Sequence, residues 1–313
     1  MRYTIVFSDV HFGIKQNSLK WLESQTCFFE EMFSILEDLK KDGMRIICCG
    51  DVFDSRFSLN PIIIKQAQNI FKILSSFGDL YIICGNHDFY YKDDDRIASP
   101  KLLLESYGNI IWNSILNKED ELFVPWYEWN NLKITSSVKR IYAHTDIVYS
   151  QTLKGYPPIV SGHIHTPFFT KNKYNIGSIC QFNFGDSNSK RGFYIIDEYS
   201  TNPLHTMKFI ENMVGIKFYT LDYDDFFEKD LSFIHKDDYI KVQTPFLFIE
   251  NDKTENIIKT LKDITNNFYI QPIFTQDNLN INTSNNEISL KDFVINKCPD
   301  DIKNILINDI LTI

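Results

Sequence analysis

Apolar positions in the first part of the chain follow two alternating rhythms. Residues 3–7 form a compact apolar run of strand length, whereas residues 19–41 carry Phe28, Phe29, Met32, Phe33, Leu36 and Leu39 on a 3.6-residue period. The first predicts a strand and the second a helix with one apolar stripe. Asp42-Gly43 stops that helix, and residues 45–49 predict the next strand. Pro61 opens a second helix over 62–77, a place where its missing N–H costs nothing, and residues 80–84 predict a third strand. The order βαβαβ implies a parallel sheet with helices on its faces.

After about residue 110 the rhythm shortens. Runs at 121–124, 140–144, 159–161 and 193–197, split by Pro, Gly and Asn, predict a second, mainly antiparallel sheet. Past residue 214, a strand at 239–244, a helix at 253–265 and a strand at 267–274 predict a small α/β unit, with a polar loop at 275–287. Residues 290–311 read as one or two amphipathic helices interrupted at Pro299. The expected organisation is a main domain over 1–213, an α/β cap over 214–288 and a helical segment over 289–313.

At 313 residues and 43% apolar content the chain can bury a full core. No apolar run reaches the roughly 18 residues of a membrane helix. Residues 1–7 lead straight into Asp9, so neither a membrane span nor a signal peptide is expected, and the protein reads as intracellular. The six cysteines contain no CxxC pair, and Cys48, Cys49 and Cys84 lie in apolar runs, which disfavours a disulfide framework or a zinc ribbon. A net charge of -9 argues against a polyanionic partner until its distribution is considered. Residues 131–192 hold eight basic residues against two acidic ones, Asp146 and Asp186. Clustered surface lysines would give the same count, so this patch supports an anionic substrate only alongside motifs.

Those motifs lie mostly at predicted strand ends. Five of the seven histidines fall in five blocks: Asp9-Val10-His11, Gly50-Asp51-Val52-Phe53-Asp54, Gly85-Asn86-His87-Asp88, Ala143-His144 and Gly162-His163-Ile164-His165. The first three blocks follow strand C-termini, where open α/β sheets place their ligand sites. Asp9 and His11, like His163 and His165, are two apart and share one face of extended chain. Asp51 has two carboxylate oxygens with which to bridge two ions, Asn86 has a neutral carbonyl oxygen, and His144 adds a further imidazole. His87, next to Asn86, points elsewhere and is free to address substrate. Asp88 either orients His87 or caps the following segment. Each histidine taken alone is better read as a hydrogen-bonded structural residue; five blocks at strand ends reverse that reading. His205 and His235 have no companion donors.

Together these blocks resemble the calcineurin-like metallophosphoesterases, and within them the nuclease subunit of SbcCD-type recombination and repair complexes, a branch with counterparts in T-even bacteriophages. Gly50-Asp51-Val52-Phe53-Asp54-Ser55-Arg56 lacks the Asp-Arg-Gly ending of protein serine/threonine phosphatases, and Asp88 stands where those usually have Glu. Gly162-His163-Ile164-His165-Thr166, Val124-Pro125-Trp126, Asn175-Ile176-Gly177-Ser178 and Lys190-Arg191-Gly192-Phe193 also resemble the nuclease branch, so that the likeness covers residues 3–197.

The resemblance implies an α/β four-layer sandwich, two sheets flanked by helices, with a small C-terminal α/β cap. It implies a pair of divalent ions, usually manganese. Asp9, His11, Asp51 and His165 would hold one ion, and Asp51, Asn86, His144 and His163 the other. Phosphodiester hydrolysis of DNA by a water activated between them is the expected reaction, in recombination, repair and end processing. His87 would stabilise developing charge or protonate the leaving oxygen.

Two departures stand out. Asp54 replaces a histidine that some relatives place there, and the His144 to His163 interval is short. No GxxxxGK[ST] loop is present, so ATP hydrolysis would reside in an SbcC-like coiled-coil ATPase. Leu290, Phe293, Val294, Ile302, Ile305, Leu306 and Ile310 would either dock on it or pack on their own domain. A homodimer acting in a bacterial host's cytoplasm is likewise implied. Rival readings are a phosphatase or cyclic-nucleotide phosphodiesterase on the same frame, and a catalytically silent scaffold that tethers DNA.

Overall fold

The computed structural model describes residues 2–91, 94–131, 134, 137–146, 156–170, 172–200, 207–245 and 252–273. His205 and the predicted loop and helices of 275–311 lie outside the described residues.

The chain begins with β1 (Tyr3–Phe7), a one-turn α1 (Ile14–Asn17), α2 (Leu19–Leu39), β2 (Met44–Cys48), α3 (Pro61–Phe77) and β3 (Asp79–Ile83). Strands and helices thus stand where the apolar periods put them, with ends within two residues of expectation. In α2 the buried positions Trp21, Leu22, Gln25, Phe28, Phe29, Met32 and Leu36 fall on one face. In α3 the Asn60 side chain accepts from Ile62 N at 2.9 Å and Pro61 takes the first turn. Such a cap contributes about 1 kcal/mol.

An antiparallel pair, β4 (Phe89–Tyr91) and β5 (Asp94–Ala98), the short α4 (Ser99–Leu104) and β6 (Asn109–Ile111) follow. Next come β7 (Ile115–Leu116), β8 (Glu121–Val124), β9 (Arg140–His144), β10 (Ile159–Gly162), β11 (Phe168–Thr170) and β12 (Lys173–Asn175). Then come β13 (Gly192–Asp197), β14 (Met207–Glu211), β15 (Phe218–Asp222), α5 (Tyr223–Glu228), β16 (Tyr239–Pro245), α6 (Asp252–Ile264) and β17 (Asn267–Ile273).

Two six-stranded sheets form the body, in the orders β14-β13-β1-β2-β3-β6 and β11-β12-β10-β9-β8-β7. Side-chain alternation assigns each strand residue to a layer. Ile5, Phe7, Ile46, Cys48, Leu80 and Ile82 face α2 and α3. Val6, Ile47, Cys49 and Ile83 face the other sheet and meet Phe123, Tyr142, Val160 and Ile176. On the outer face of the second sheet, Leu122, Val124, Ile141, Ala143 and Ile159 pack with Trp129 of a 3₁₀ segment, Trp126–Asn131. Among the described residues no α-helix covers that side. The architecture is a mixed α/β sandwich, as the resemblance implied.

The second sheet corrects an expectation. It is not mainly antiparallel: β8, β9, β10 and β12 run parallel, and only β7 and β11 at its edges are antiparallel. Residues 193–197 do not join it either, because β13 pairs antiparallel with β1 in the first sheet. Short apolar runs suggested hairpins. Yet the segments joining β8 to β9 and β9 to β10 each exceed the dozen or so residues a parallel crossover requires.

At the C-terminal side, β15, β16 and β17 form a parallel three-stranded sheet. Here β15 and α5 add to the elements that the apolar runs predicted. Leu221, Ile240 and Val242 pack against Phe226, Ile257 and Leu261 of α5 and α6. Trp21 of α2 stacks on Phe218 and Tyr239, and Ile216 N donates to Ser24 Oγ at 2.9 Å. No described helix is long and apolar enough to cross a membrane.

Candidate metal centre

The loops that leave β1 and β2 keep hydrogen bonding beyond the strands. Asp9 N donates to Gly50 O, His11 N to Asp51 O and Phe12 N to Val52 O, at 2.8–3.0 Å. This locks an unusual backbone in place: Asp9, His11, Asp51 and His163 all have positive φ, of 51°, 52°, 52° and 89°. Left-handed backbone at non-glycine residues costs about 1–2 kcal/mol each, and such strain gathers at functional sites. Gly50, at φ 102°, lies directly beneath the His144 ring, which leaves no room for a Cβ.

Three sets of donor atoms lie within 4.8 Å of one another: Asp9, His11 and His165; Asp51, His144 and His163; and His11, Asp54 and His87. Asp51 Oδ2 is 3.3 Å from His144 Nε2 and 3.7 Å from His11 Nε2, so one carboxylate oxygen spans the first two sets. Asn86 Oδ1 is 3.0 Å from His144 Nε2 and 2.9 Å from His163 Nδ1. His11 Nε2 and His165 Nε2 stand 3.2 Å apart.

This geometry fits cations. His144 Nδ1 donates to Cys49 O at 2.7 Å, which turns Nε2 toward the oxygens of Asp51 and Asn86. Lone pairs on a neutral ring would then meet lone pairs on oxygen, and only a proton or a metal ion between them resolves that contact. Burial opposes charge on His144, but Asp51 and then Asp9 outweigh it and push the imidazole up to about 9. Burial opposes ionisation of Asp51 too, yet His144 and His11 hold its carboxyl far below the usual range. Burial lowers His163, helped by His144, and lowers His165, helped by His11 and opposed by Asp9. His163 and His165, held neutral, and His144 once a metal ion takes the place of its proton, would make with the carboxylate and amide oxygens a donor set for divalent transition ions.

His87 stands at the edge of this cluster, its ring 4.9 Å from that of His11. Its Nδ1 meets Asp54 O at 2.7 Å and its N donates to Asp51 Oδ1 at 2.8 Å. Asp54 therefore orients His87 through its backbone, while its carboxylate lies 3.3 Å from His11 Nδ1. Asp88 neither touches the His87 ring nor caps a helix. Fully buried, it accepts from Val52 N (3.0 Å), Phe53 N (3.2 Å) and Gly85 N (2.8 Å), tying two donor-bearing loops together. Burial and then Asp51 push its carboxyl up to about 7, against the N–H groups of Gly85 and Phe53. His235 is a surface residue beside Asp238.

Three supporting residues escaped the motif reading. Gln25, buried on the apolar face of α2, donates to Val10 O and His11 O. A glutamine in an apolar stripe was its available signal. Phe182 packs on His11 and His165 at 5.4 and 5.2 Å between ring centroids, and no local pattern marks it. Trp126, noted only as part of Pro125-Trp126, lies 4.5 Å from the His163 ring.

The family model described as calcineurin-like phosphoesterase matches residues 3–186. The chain belongs to this family. The matched span contains every side chain of the three donor sets, so the phosphoesterase fold and the cluster come from the same part of the chain. Over 218 residues this phosphoesterase is 27% identical to exonuclease subunit 1 of Enterobacteria phage T4, covering 60% of this chain and 62% of that protein. Over 228 residues it is 23% identical to an uncharacterized protein of Acanthamoeba polyphaga mimivirus, covering 60% of this chain and 16% of that one. It thus spans less than two thirds of the length of either relative.

Proposed function

We propose that this phosphoesterase is a metal-dependent DNA nuclease that holds two divalent ions, manganese being the ion best suited to the donor set. The carrying observation is that Asp51 Oδ2 reaches both His11 and His144, so that two donor sets share one carboxylate. Asp9, His11, Asp51 and His165 would hold one ion and Asp51, Asn86, His144 and His163 the other. When bound, the ions supply an activated water and neutralise charge on the phosphodiester. The protein's own part is positional. Asp88, Gln25 and the β1–β2 loop hydrogen bonds hold the donors in strained backbone. His87, fixed by Asp54 O, is placed to stabilise charge or deliver a proton to the leaving oxygen. Phe182 and Trp126 exclude water from one side of the imidazoles.

The name of the phage relative, an exonuclease subunit, supports DNA as substrate and a multi-subunit setting. In this reading ATP hydrolysis comes from an SbcC-like coiled-coil ATPase, two copies of the nuclease pair, and the complex acts in the cytoplasm of a phage's host. The test is a manganese titration followed by assays on linear duplex, single-stranded DNA, a phosphoprotein and a small phosphodiester. DNA cleavage that saturates with manganese is expected. Turnover confined to the phosphoprotein or the small diester would assign a phosphatase or phosphodiesterase, and DNA binding without any turnover would assign a scaffold.

A further inference from the structure

A cleft of about 530 Å³ opens where the loop after β1, the segment after Phe182 and the three-stranded sheet meet. Its walls include Lys15, Phe184, Tyr239, Lys241, Tyr269 and Gln271, and among the described residues no carboxylate. That volume lies within the ~300–1,000 Å³ of sites for small organic groups.

The small sheet explains why rings gather there. Ile240 and Val242 are buried against α5 and α6, so alternation sends Tyr239, Lys241, Tyr269 and Gln271 to the opposite face. Lys241 is in register with Tyr269 on the neighbouring strand. Tyr269 stays 55% exposed, with its ring 5.3 Å from that of Phe184, and Lys241 Nζ lies 5.1 Å over the Phe184 ring.

A row of rings links this cleft to the metal centre. Phe182 packs on His11 and His165, Trp21 on Phe182, and Phe218 and Tyr239 on Trp21. Lys15 follows His11 by one short loop in left-handed backbone, and Phe184 lies two positions after Phe182. Two segments that leave the centre therefore end in the cleft. Aromatic faces, ammonium groups and an amide, with no carboxylate among the described lining residues, suit an unpaired nucleobase and its phosphates. Paired bases in a duplex present no free face to such rings.

We propose that this cleft holds unpaired nucleotides of the strand processed at the metal centre. A base stacks on Tyr269 beside Phe184, and phosphates pair with Lys15 and Lys241. The proposal rests on the nuclease reading and narrows its substrate to strands with a single-stranded terminus.

Fluorescence anisotropy of a labelled single-stranded oligonucleotide with the full chain in EDTA reads the cleft without turnover. Tyr269→Ala, alone or with Lys241→Ala, is expected to raise Kd about tenfold, the loss that goes with one base-stacking contact. Tyr269→Phe retains most of the affinity, and Tyr199→Ala, which removes a tyrosine outside the cleft, changes nothing. Blunt duplex binding shifts by less than about twofold in the same variants. An unchanged Kd in the folded double variant overturns the proposal, as does an equal loss for duplex. Full displacement by a free deoxynucleoside monophosphate at matched phosphate concentration also overturns it, by assigning the cleft to released product. A wild-type chain that binds through Tyr269 yet cleaves no DNA with manganese would refute the nuclease reading and leave the stacking assignment standing.

Discussion

Asp51 combines a left-handed backbone, a hydrogen bond from His87 N and close approach to two imidazoles from one carboxylate oxygen. Asp51→Asn keeps the shape and removes the charge that would balance the two proposed cations. It should weaken manganese binding and cut phosphodiester hydrolysis by more than about 100-fold, beyond what loss of an outer-shell partner costs, with an unchanged circular dichroism spectrum. His87→Ala should separate from it: calorimetry would find the same manganese stoichiometry while kcat falls by about 10²-fold or more. Asp88 carries a different burden. Asp88→Ala strands three buried N–H groups, and urea unfolding should reveal about 2–4 kcal/mol of lost stability. Wild-type stability in that variant would reject the loop-tying role.

The turns between strands and loops demand most of their residue types. Gly162 ends β10 where a Cβ would collide with Ser8 Oγ and Cys49 O. Gly162→Ala should therefore lower the melting temperature and reduce manganese affinity together, because the same shift displaces Asp9 from His163 N; an alanine variant with native manganese affinity would contradict this. The first 90 residues were legible at this level since each helix and strand there buries one periodic stripe. Pairing direction in the second sheet was not. Strand propensity reports a half-buried pleated surface and is silent about which neighbour supplies the other side.

Across the assembled molecule, the two sheets are braced at the end opposite the metal centre. Arg45 bonds Thr4 Oγ1 (2.8 Å) and Glu121 (2.8 Å), while Arg140 bonds Tyr142 OH (2.8 Å) and Glu198 (2.8 Å). Burial works against ionised Glu198, but Arg140 and then Arg45 hold its carboxyl below the usual range. A depressed carboxyl stabilises the fold above its unfolded value near ~4.3 and ceases to do so as pH falls through the lower folded value. Urea unfolding between pH 3 and 6 should show Glu198→Gln losing less stability on acidification than wild type; parallel slopes would deny the brace. The same scale holds the partner prediction. On the proposed reading, deleting residues 289–313 should abolish association with the proposed coiled-coil ATPase and spare the proposed nuclease activity, and an intact complex after deletion would reject docking through that segment.

Residue chemistry and period were enough to nominate Asp9, His11, Asp51, Asn86, His87, His144, His163 and His165, because oxygen and imidazole donors clustered at strand ends have few other uses. The same reasoning could not tell that Asp88 ties loops or that Asp54 steers His87 through its carbonyl, since both depend on backbone atoms more than thirty positions away. Gln25, Phe182 and the left-handed φ angles belong with them. A donor's identity is local chemistry, whereas its orientation, its proton and its neighbours arise only when remote segments pack and exclude water.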